Sequence, residues 1–278
     1  MCKRDLKIGL LIGAFAFHTA DSAAIVRAAT TGAREAALSQ AVVALSGSFS
    51  VFHNQAFLTE TKSSSLGLFY CQPYLINGYC EGALSVVYPT KTAVFAIGVT
   101  QSAIATYKES EYGFAIAKEL GEKLSAGVLF NCFTMNFPEV GRHKGSLMVD
   151  GGIRYRFSDR LALGVHLKNI VWSKIETFQY SLKFPFVMRT GTAYLLTDSI
   201  LLTGEVDFEH DVGFGFRCGT ELALTDIFRI RGGLSTKPFQ HSFGFGYRLS
   251  FCQMDFAIVH HELLGYSPAI SFSFNFSK

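Results

Sequence analysis

Beyond its first two dozen residues the chain has no apolar run of eighteen or more, which excludes a membrane-spanning helix. Cysteine is sparse and badly arranged for chemistry. No Cys-x-x-Cys pair or Cys/His spacing suggests zinc. No Gly-x-Ser-x-Gly turn is present and no Ser/His/acid spacing stands out, so an acyl-transfer enzyme lacks its parts. No cofactor is expected. The formal net charge of +3 is small and dispersed, which excludes a nucleic-acid footprint. Proline is also scarce, at six residues, so long extended segments can run without interruption.

What is abundant points one way. Apolar residues make up 49% of the 278 positions, yet 17% are charged, and there are 27 Phe and 26 Gly. The stretch Phe243–Phe276 shows how these coexist. Phe243, Phe245, Tyr247, Leu249 and Phe251 fall on every second residue, with Gly244, Gly246, Arg248 and Ser250 between them. Met254, Phe256 and Ile258 continue the pattern, and Ile270, Phe272, Phe274 and Phe276 close it. A period of two places the aromatics on one face of a strand and the small or polar residues on the other. An aromatic outer face over a Gly/Ser/Asn/Arg inner face reads as lipid outside and water inside. Only a closed barrel can be this apolar, keep its charges and still pair its backbone in lipid. The fold class expected is therefore all-β, a transmembrane antiparallel up-and-down barrel of about fourteen strands behind an N-terminal plug.

The chain divides accordingly. Residues 1–24 read as a signal peptide: basic Lys3, Arg4 and Lys7, apolar Ile8–Phe17, then small Ser22-Ala23-Ala24. Residues 25–60, rich in Ala, Ser and Thr, read as a plug. Strands are expected at 65–72, 79–88, 92–100, 111–119, 123–133, 146–157, 160–170, 185–196, 199–208, 213–224, 227–235, 242–250, 252–260 and 268–276. The even-numbered connections are short, such as Ser158-Asp159, Thr197-Asp198 and Thr225-Asp226. The odd ones are longer, up to Gln101–Ser110, Thr134–Gly145 and Val171–Phe184. Short inner turns and longer outer loops alternate in outer-membrane barrels. This places both termini in the periplasm and the chain in the bacterial outer membrane. Five cysteines follow the signal. Cys71 and Cys80 flank one loop and could pair in an oxidising compartment, while Cys132, Cys218 and Cys252 fall on the lipid-facing parity.

Two stretches carry a family likeness. Gly32-Ala33-Arg34, Ala41–Leu45 and His53-Asn54-Gln55-Ala56-Phe57-Leu58 form the first. Phe228–Ser235, Phe243–Leu249, Gln253–Ala257 and Leu264–Ser267 form the second. Together they resemble the PorV/PorQ and FadL-like outer-membrane proteins of Bacteroidetes type. Asn54, Ala56 and Leu58 match that family's Asn-Pro-Ala-Gly-Leu box in the plug, with Gln55 in place of the usual proline and Phe57 in place of glycine. The resemblance implies one of two functions. FadL-like members pass hydrophobic small molecules with the plug as a gate. PorV/PorQ-like members serve type IX secretion or cell-surface attachment by binding other envelope proteins.

The same parity gathers the charged residues. Arg154, Arg156, Lys168, Glu205, Asp207, Arg217, Glu221, Arg229, Arg231, Arg248 and Asp255 share the lumenal side. They are expected to form a cross-strand charge ladder that also meets the plug; binding a ligand carboxylate is the other reading. His260-His261-Glu262 reads as a solvated loop start. Trp172, Tyr180, Tyr112 and Tyr266 read as an interfacial girdle. Phe272, Phe274 and Phe276 resemble the terminal strand by which barrels are recognised for assembly. Partners expected are outer-membrane lipid, the barrel assembly machinery and either a hydrophobic ligand or secreted envelope proteins. The parity itself predicts that Phe245→Arg is not tolerated, whereas Gly246→Ser is.

Overall fold

The computed structural model describes residues 31–137, 142–176, 181–210 and 212–276. The expected signal segment and the first residues of the plug lie outside these. Fourteen strands close an antiparallel barrel, each paired with its neighbour in the wall. They are β1 (Ser64–Cys71), β2 (Tyr79–Pro89), β3 (Val94–Ile104), β4 (Tyr107–Glu119), β5 (Leu124–Phe137), β6 (Arg142–Ser158), β7 (Leu161–Lys168), β10 (Val187–Thr197), β11 (Ile200–Glu209), β12 (Gly213–Ala223), β13 (Phe228–Thr236), β14 (Phe239–Arg248), β15 (Cys252–His261) and β16 (Gly265–Phe276). A small hairpin, β8 (Lys174–Glu176) and β9 (Ser181–Lys183), stands apart from the wall. The barrel closes where β16 meets β1, with Phe272 opposite Leu68 and Phe274 opposite Leu66.

Side-chain parity follows the expected pattern. Phe243, Phe245 and Tyr247 of β14 are exposed, while Ser242, Gly244 and Gly246 are buried. Phe214 and Phe216, Leu202 and Val206, and Ile153, Tyr155 and Phe157 likewise face outward. This apolar outer wall is the face a bilayer covers. Cys218 is exposed on it and Cys132 lies on the same parity, whereas Cys252, opposite Phe274, is buried. Tyr112, Trp172 and Tyr266 are exposed; Tyr180 lies outside the described residues. A bridge between Cys71 and Cys80, left open by the sequence, does not fit the register. Cys71 faces the lumen opposite Glu81, so Cys80 points to the other side of the wall.

Two expectations are corrected. Several of the long loops are strand extensions. β3 and β4 run on through Gln101–Ile104 and Tyr107–Ser110 to a turn at Ala105-Thr106. β5 and β6 likewise pair as far as Phe137 and Arg142, with residues 138–141 outside the described set. Past the lipid both faces of a strand meet water, so apolar alternation no longer marks it. The lumen is also not a wet channel at the level of the plug. Helix α1 (Ala33–Ala37) packs with Phe49 against Phe69, Cys71, Ala83, Ala257 and Ala269. Val51 and Leu58 pack against Val87, Val94, Ala96, Ala115, Ala117 and Leu129. The small lumenal residues make room for protein.

Close approach explains the glycines. A Cβ on Gly127 would lie 2.7 Å from the Gln55 carbonyl carbon, one on Gly191 2.7 Å from Val43 Cγ1, and one on Gly233 2.5 Å from the Leu38 carbonyl carbon. Cβ atoms at Gly152 and Gly164 would collide with Asn54 and Val43. Gly246 belongs to the same inner surface. Its Cβ would strike the paired Asp255 and Arg231 side chains, so Gly246→Ser is not the silent change that parity alone suggests.

Phe245→Arg, on the lipid face, should cost roughly 2–4 kcal/mol if near the bilayer midplane. Gly164→Val should leave the wall able to close but the plug unseated. Heat-modified gel mobility reports closure, and protease sensitivity of the plug reports seating. Equal behaviour of the two variants in both assays would contradict the assignment of faces.

Candidate functional site: the plug and the chamber above it

The plug consists of α1, a second short helix α2 (Ser50–His53) and a 3-10 turn at Gln55–Glu60. Asn54 joins them and is fully buried. Its Oδ1 accepts from Ala56 N at 3.1 Å and caps the 3-10 turn. Its Nδ2 lies 2.8 Å from Val43 O and 3.2 Å from both Ile153 O and Val165 O. The last two are register partners in β6 and β7. One carboxamide thus ties two plug segments to each other and to the wall. Ala56 is fully buried, its backbone nitrogen 2.8 Å from where a Cβ on Gly127 would stand. Leu58 fills the apolar cluster beside β2–β5. Gln55, in the box's proline position, donates to Val51 O at 2.9 Å, and Phe57 packs on Ala44 and Ala193.

The lumenal charges of the wall meet the plug at several points. Glu221 of β12 accepts from Arg34 Nε at 2.9 Å and from Arg231 Nε at 2.6 Å, with Arg229 Nε at 3.8 Å. Arg231 Nη1 also donates to Asp255 at 2.8 Å. Gln253 donates to Asp255 and accepts from Arg248. Glu205 Oε2 accepts from the backbone N–H of both Val42 and Val43 at 3.0 Å, while Arg189 Nε holds its other oxygen at 2.5 Å. Arg189 also reaches Gln40 O. Arg154 Nη1 and Arg156 Nη2 lie 2.6 and 3.4 Å from Glu60. Asp207 pairs with Arg217 at 3.1 Å. Buried ions of this kind are tolerable only when matched and fully hydrogen-bonded. Arg34, Glu60 and Arg189 were missed by sequence reasoning. The signal available for the first two was charge inside a segment otherwise built of small residues.

Glu35 is the exception in the plug. Its Oε2 is buried without a hydrogen-bond partner among the described residues. Burial pushes its carboxyl up to about 7, against the attraction of neighbouring Arg34. His53 is buried in the same segment, with Nε2 2.8 Å from Thr31 O, and burial holds its ring down at about 3, as a neutral imidazole.

Toward the long-loop end the plug forms the floor of a cavity of about 430 Å³. Gln40, Phe52 and His53 contribute from below. Leu129, Met148, His166, Lys168, Val187, Arg189 and Arg217 contribute from the wall. Phe184, Pro185, Val212 and Pro238 contribute from the rim. The hairpin β8–β9 turns inward over this end. Ile175, Leu182 and Phe184 bury against the lumenal Phe133, Met135 and Met148. Asn169, which starts the excursion, is held by Nδ2 on Phe184 O and by its N–H on Asp150. A chamber of this size, partly open and mixed in polarity, suits one small molecule. Among the described residues no cluster of His, Cys, Asp and Glu could hold a metal. His260 stacks on His241 and Tyr266 and stays apart from the chamber.

Three solved proteins share this fold. A monoaromatic hydrocarbon channel, CymD, superposes with a TM-score of 0.68 at 13% identity, over 89% of this chain and 98% of that one. A FadL homologue of Pseudomonas aeruginosa gives 0.66 at 11%, over 92% and 100%. The toluene transporter TodX of Pseudomonas putida gives 0.63 at 11%, over 83% and 94%. No family model matches the chain, and no curated protein matches it in sequence.

Asn54→Ala should cost roughly 1–3 kcal/mol for the polar groups it leaves unmatched, read as a lower urea midpoint for plug protection from protease. Between pH 4.5 and 7 the folded plug keeps a proton on Glu35 that the released plug gives up, so seating weakens as pH rises through that window. Glu35→Gln should flatten that dependence, and an unchanged slope in the variant would remove Glu35 as its source.

Proposed function

We propose that this chain is an outer-membrane barrel that holds, and passes, a hydrophobic small molecule through the chamber above its plug. The observation that carries the reading is the partly open cavity of about 430 Å³ between plug and rim, with an apolar side formed by Phe52, Leu129, Met148, Phe184, Pro185 and Val187. The shared fold with channels described as carrying monoaromatic hydrocarbons and toluene supports it. So does the Asn54/Ala56/Leu58 box of the FadL-like resemblance. In this reading the signal segment is removed, both termini are periplasmic, and the plug is the element that must shift for passage. The type IX secretion reading of the PorV/PorQ resemblance would instead place the working surface on the outer loops. Paired strand runs on into several of those connections, and the chamber, the more specific feature, takes precedence.

Native mass spectrometry of the purified barrel should reveal a co-purified small molecule. Met148→Trp together with Val187→Trp, which narrow the chamber from two sides, should remove it and slow uptake of a hydrophobic dye across the outer membrane by about tenfold or more, the equivalent of 1.4 kcal/mol. Uptake unchanged by the narrowed chamber, in a barrel that still folds, would refute the reading.

A further inference from the structure

The plug is tied to the wall by contacts of different kinds. Asn54 and Glu60 hold one part to β6 and β7, and Arg34 holds α1 to Glu221 of β12 at 2.9 Å. Between them the turn Ser39–Val43 hangs on the side chains of Ser242, Arg189 and Glu205. Ser242 Oγ accepts from Ser39 N at 3.0 Å. Arg189 Nη2 donates to Gln40 O at 2.7 Å. Glu205 Oε2 accepts from Val42 N and Val43 N at 3.0 Å, and its other oxygen accepts from Arg189 Nε at 2.5 Å. A single ion pair thus serves Gln40 O, Val42 N and Val43 N together. Val43 O is held separately, by Asn54 Nδ2 at 2.8 Å.

The turn is held in a costly shape. Gln40 N returns to Glu35 O at 2.9 Å, closing α1 with a motif that usually places glycine in the left-handed region. Here Ser39 and Gln40 occupy that region in succession, at φ 50° and 62°. Side chains there strain the backbone, and such strain persists only where the surroundings enforce it. Gln40 Nε2 is also buried without a partner among the described residues, which adds to the cost of the seated turn. The location gives this strain a use. Gln40 and Arg189 line the chamber. Arg34, Glu35 and Ser46 line a polar recess of about 150 Å³ at the short-turn end, with Arg248 and Asn275. Glu35 and Gln40, joined main chain to main chain, therefore face the two cavities from opposite sides.

Resting on the passage function proposed above, we infer that Ser39–Val42 is the part of the plug that moves, and that Arg189 is the positioning residue that latches it. With the latch closed, Arg189 and Glu205 hold the strained turn against the wall. With it open, the turn relaxes about Val43, whose carbonyl stays on Asn54, and the chamber joins the recess. The rest of the plug keeps its seat on the wall glycines. The directions of the hydrogen bonds are fixed. Position 205 must accept from two N–H groups and position 189 must donate to a carbonyl, so a pair of opposite charges is not enough to make the latch.

The test reads ion conductance of the full mature barrel in planar lipid bilayers. Heat-modified gel mobility checks that the wall has closed, and native mass spectrometry reads the held molecule separately. Arg189→Lys keeps the charge and loses the planar fork; Arg189→Gln loses both. Each should raise the time-averaged conductance about tenfold or more over the unchanged barrel. The exchange Arg189→Glu with Glu205→Arg should conduct as Arg189→Gln does. Ser39 Oγ and Ser242 Oγ lie 2.7 Å apart, so Ser39→Cys with Ser242→Cys can be oxidised to a cross-link, confirmed by peptide mass spectrometry. Added to Arg189→Gln, the cross-link should return conductance to that of the unchanged barrel, and reduction should release it. Conductance unmoved in both Arg189 variants would overturn the latch. Closure restored by the exchange would reduce Arg189 to charge balance and overturn it too. Conductance that persists through the cross-link would overturn the choice of moving segment. A held molecule missing from the unchanged barrel would sink the holding function, while the conductance results would still decide the latch.

Discussion

The plug backbone runs within a Cβ's length of the wall, and almost everything else about the chain answers to that closeness. Where main chain meets main chain, as at Gly164 beside Val43 and Gly233 beside Leu38, no side chain fits on the wall. Polar groups trapped in so tight a space must be matched on the spot. Asn54 does this with one carboxamide across three carbonyls. Glu205 does it for the N–H groups of Val42 and Val43. The ion cluster of Arg34, Glu221, Arg231 and Asp255 extends the same logic to charges. These groups are individually expensive to bury and collectively specific, so the plug has one place to sit.

The same packing divides the lumen into two regions of different character. Beside the helices the wall contributes Ala, Gly and Ser, and the interior is packed with apolar side chains. Above Gln40 and His53 the wall side chains lengthen to His166, Lys168, Arg189 and Arg217, and the plug stops short of them. The chamber is what remains between a floor fixed by hydrogen bonds and a rim formed by Phe184, Pro185, Val212 and Pro238. Its shape is therefore set by the plug's position as much as by the barrel.

The sequence was legible where lipid imposed its rule. All fourteen wall strands lie where period-two alternation puts them, because one face of each must be apolar over the bilayer's thickness. The rule ended with the bilayer. Ser102, Lys108 and Glu109 sit in paired strand that water reaches from both sides, and nothing in their polarity separates them from a loop. The inner face was harder still. A glycine that spares room for a plug looks the same as one that lines a water channel, so Gly244 and Gly246 were read as wet. Lumenal charges such as Glu205 and Arg231 could be found by parity. Their partners Arg34 and Glu60 lie in a segment without period, where no pattern connects them to a strand far along the chain. His166, one lone histidine between Gly164 and Lys168, gave no sign of a chamber.

Only Thr61–Ser63 separate the plug from β1, and β1 is one of the two strands at the seam. So short a tether keeps the plug at the seam whether or not it is seated. Seating and the β1–β16 pairing therefore share one end of the wall, and a change at Asn54 that loosens the plug leaves it beside the mouth of the barrel, three residues from its place.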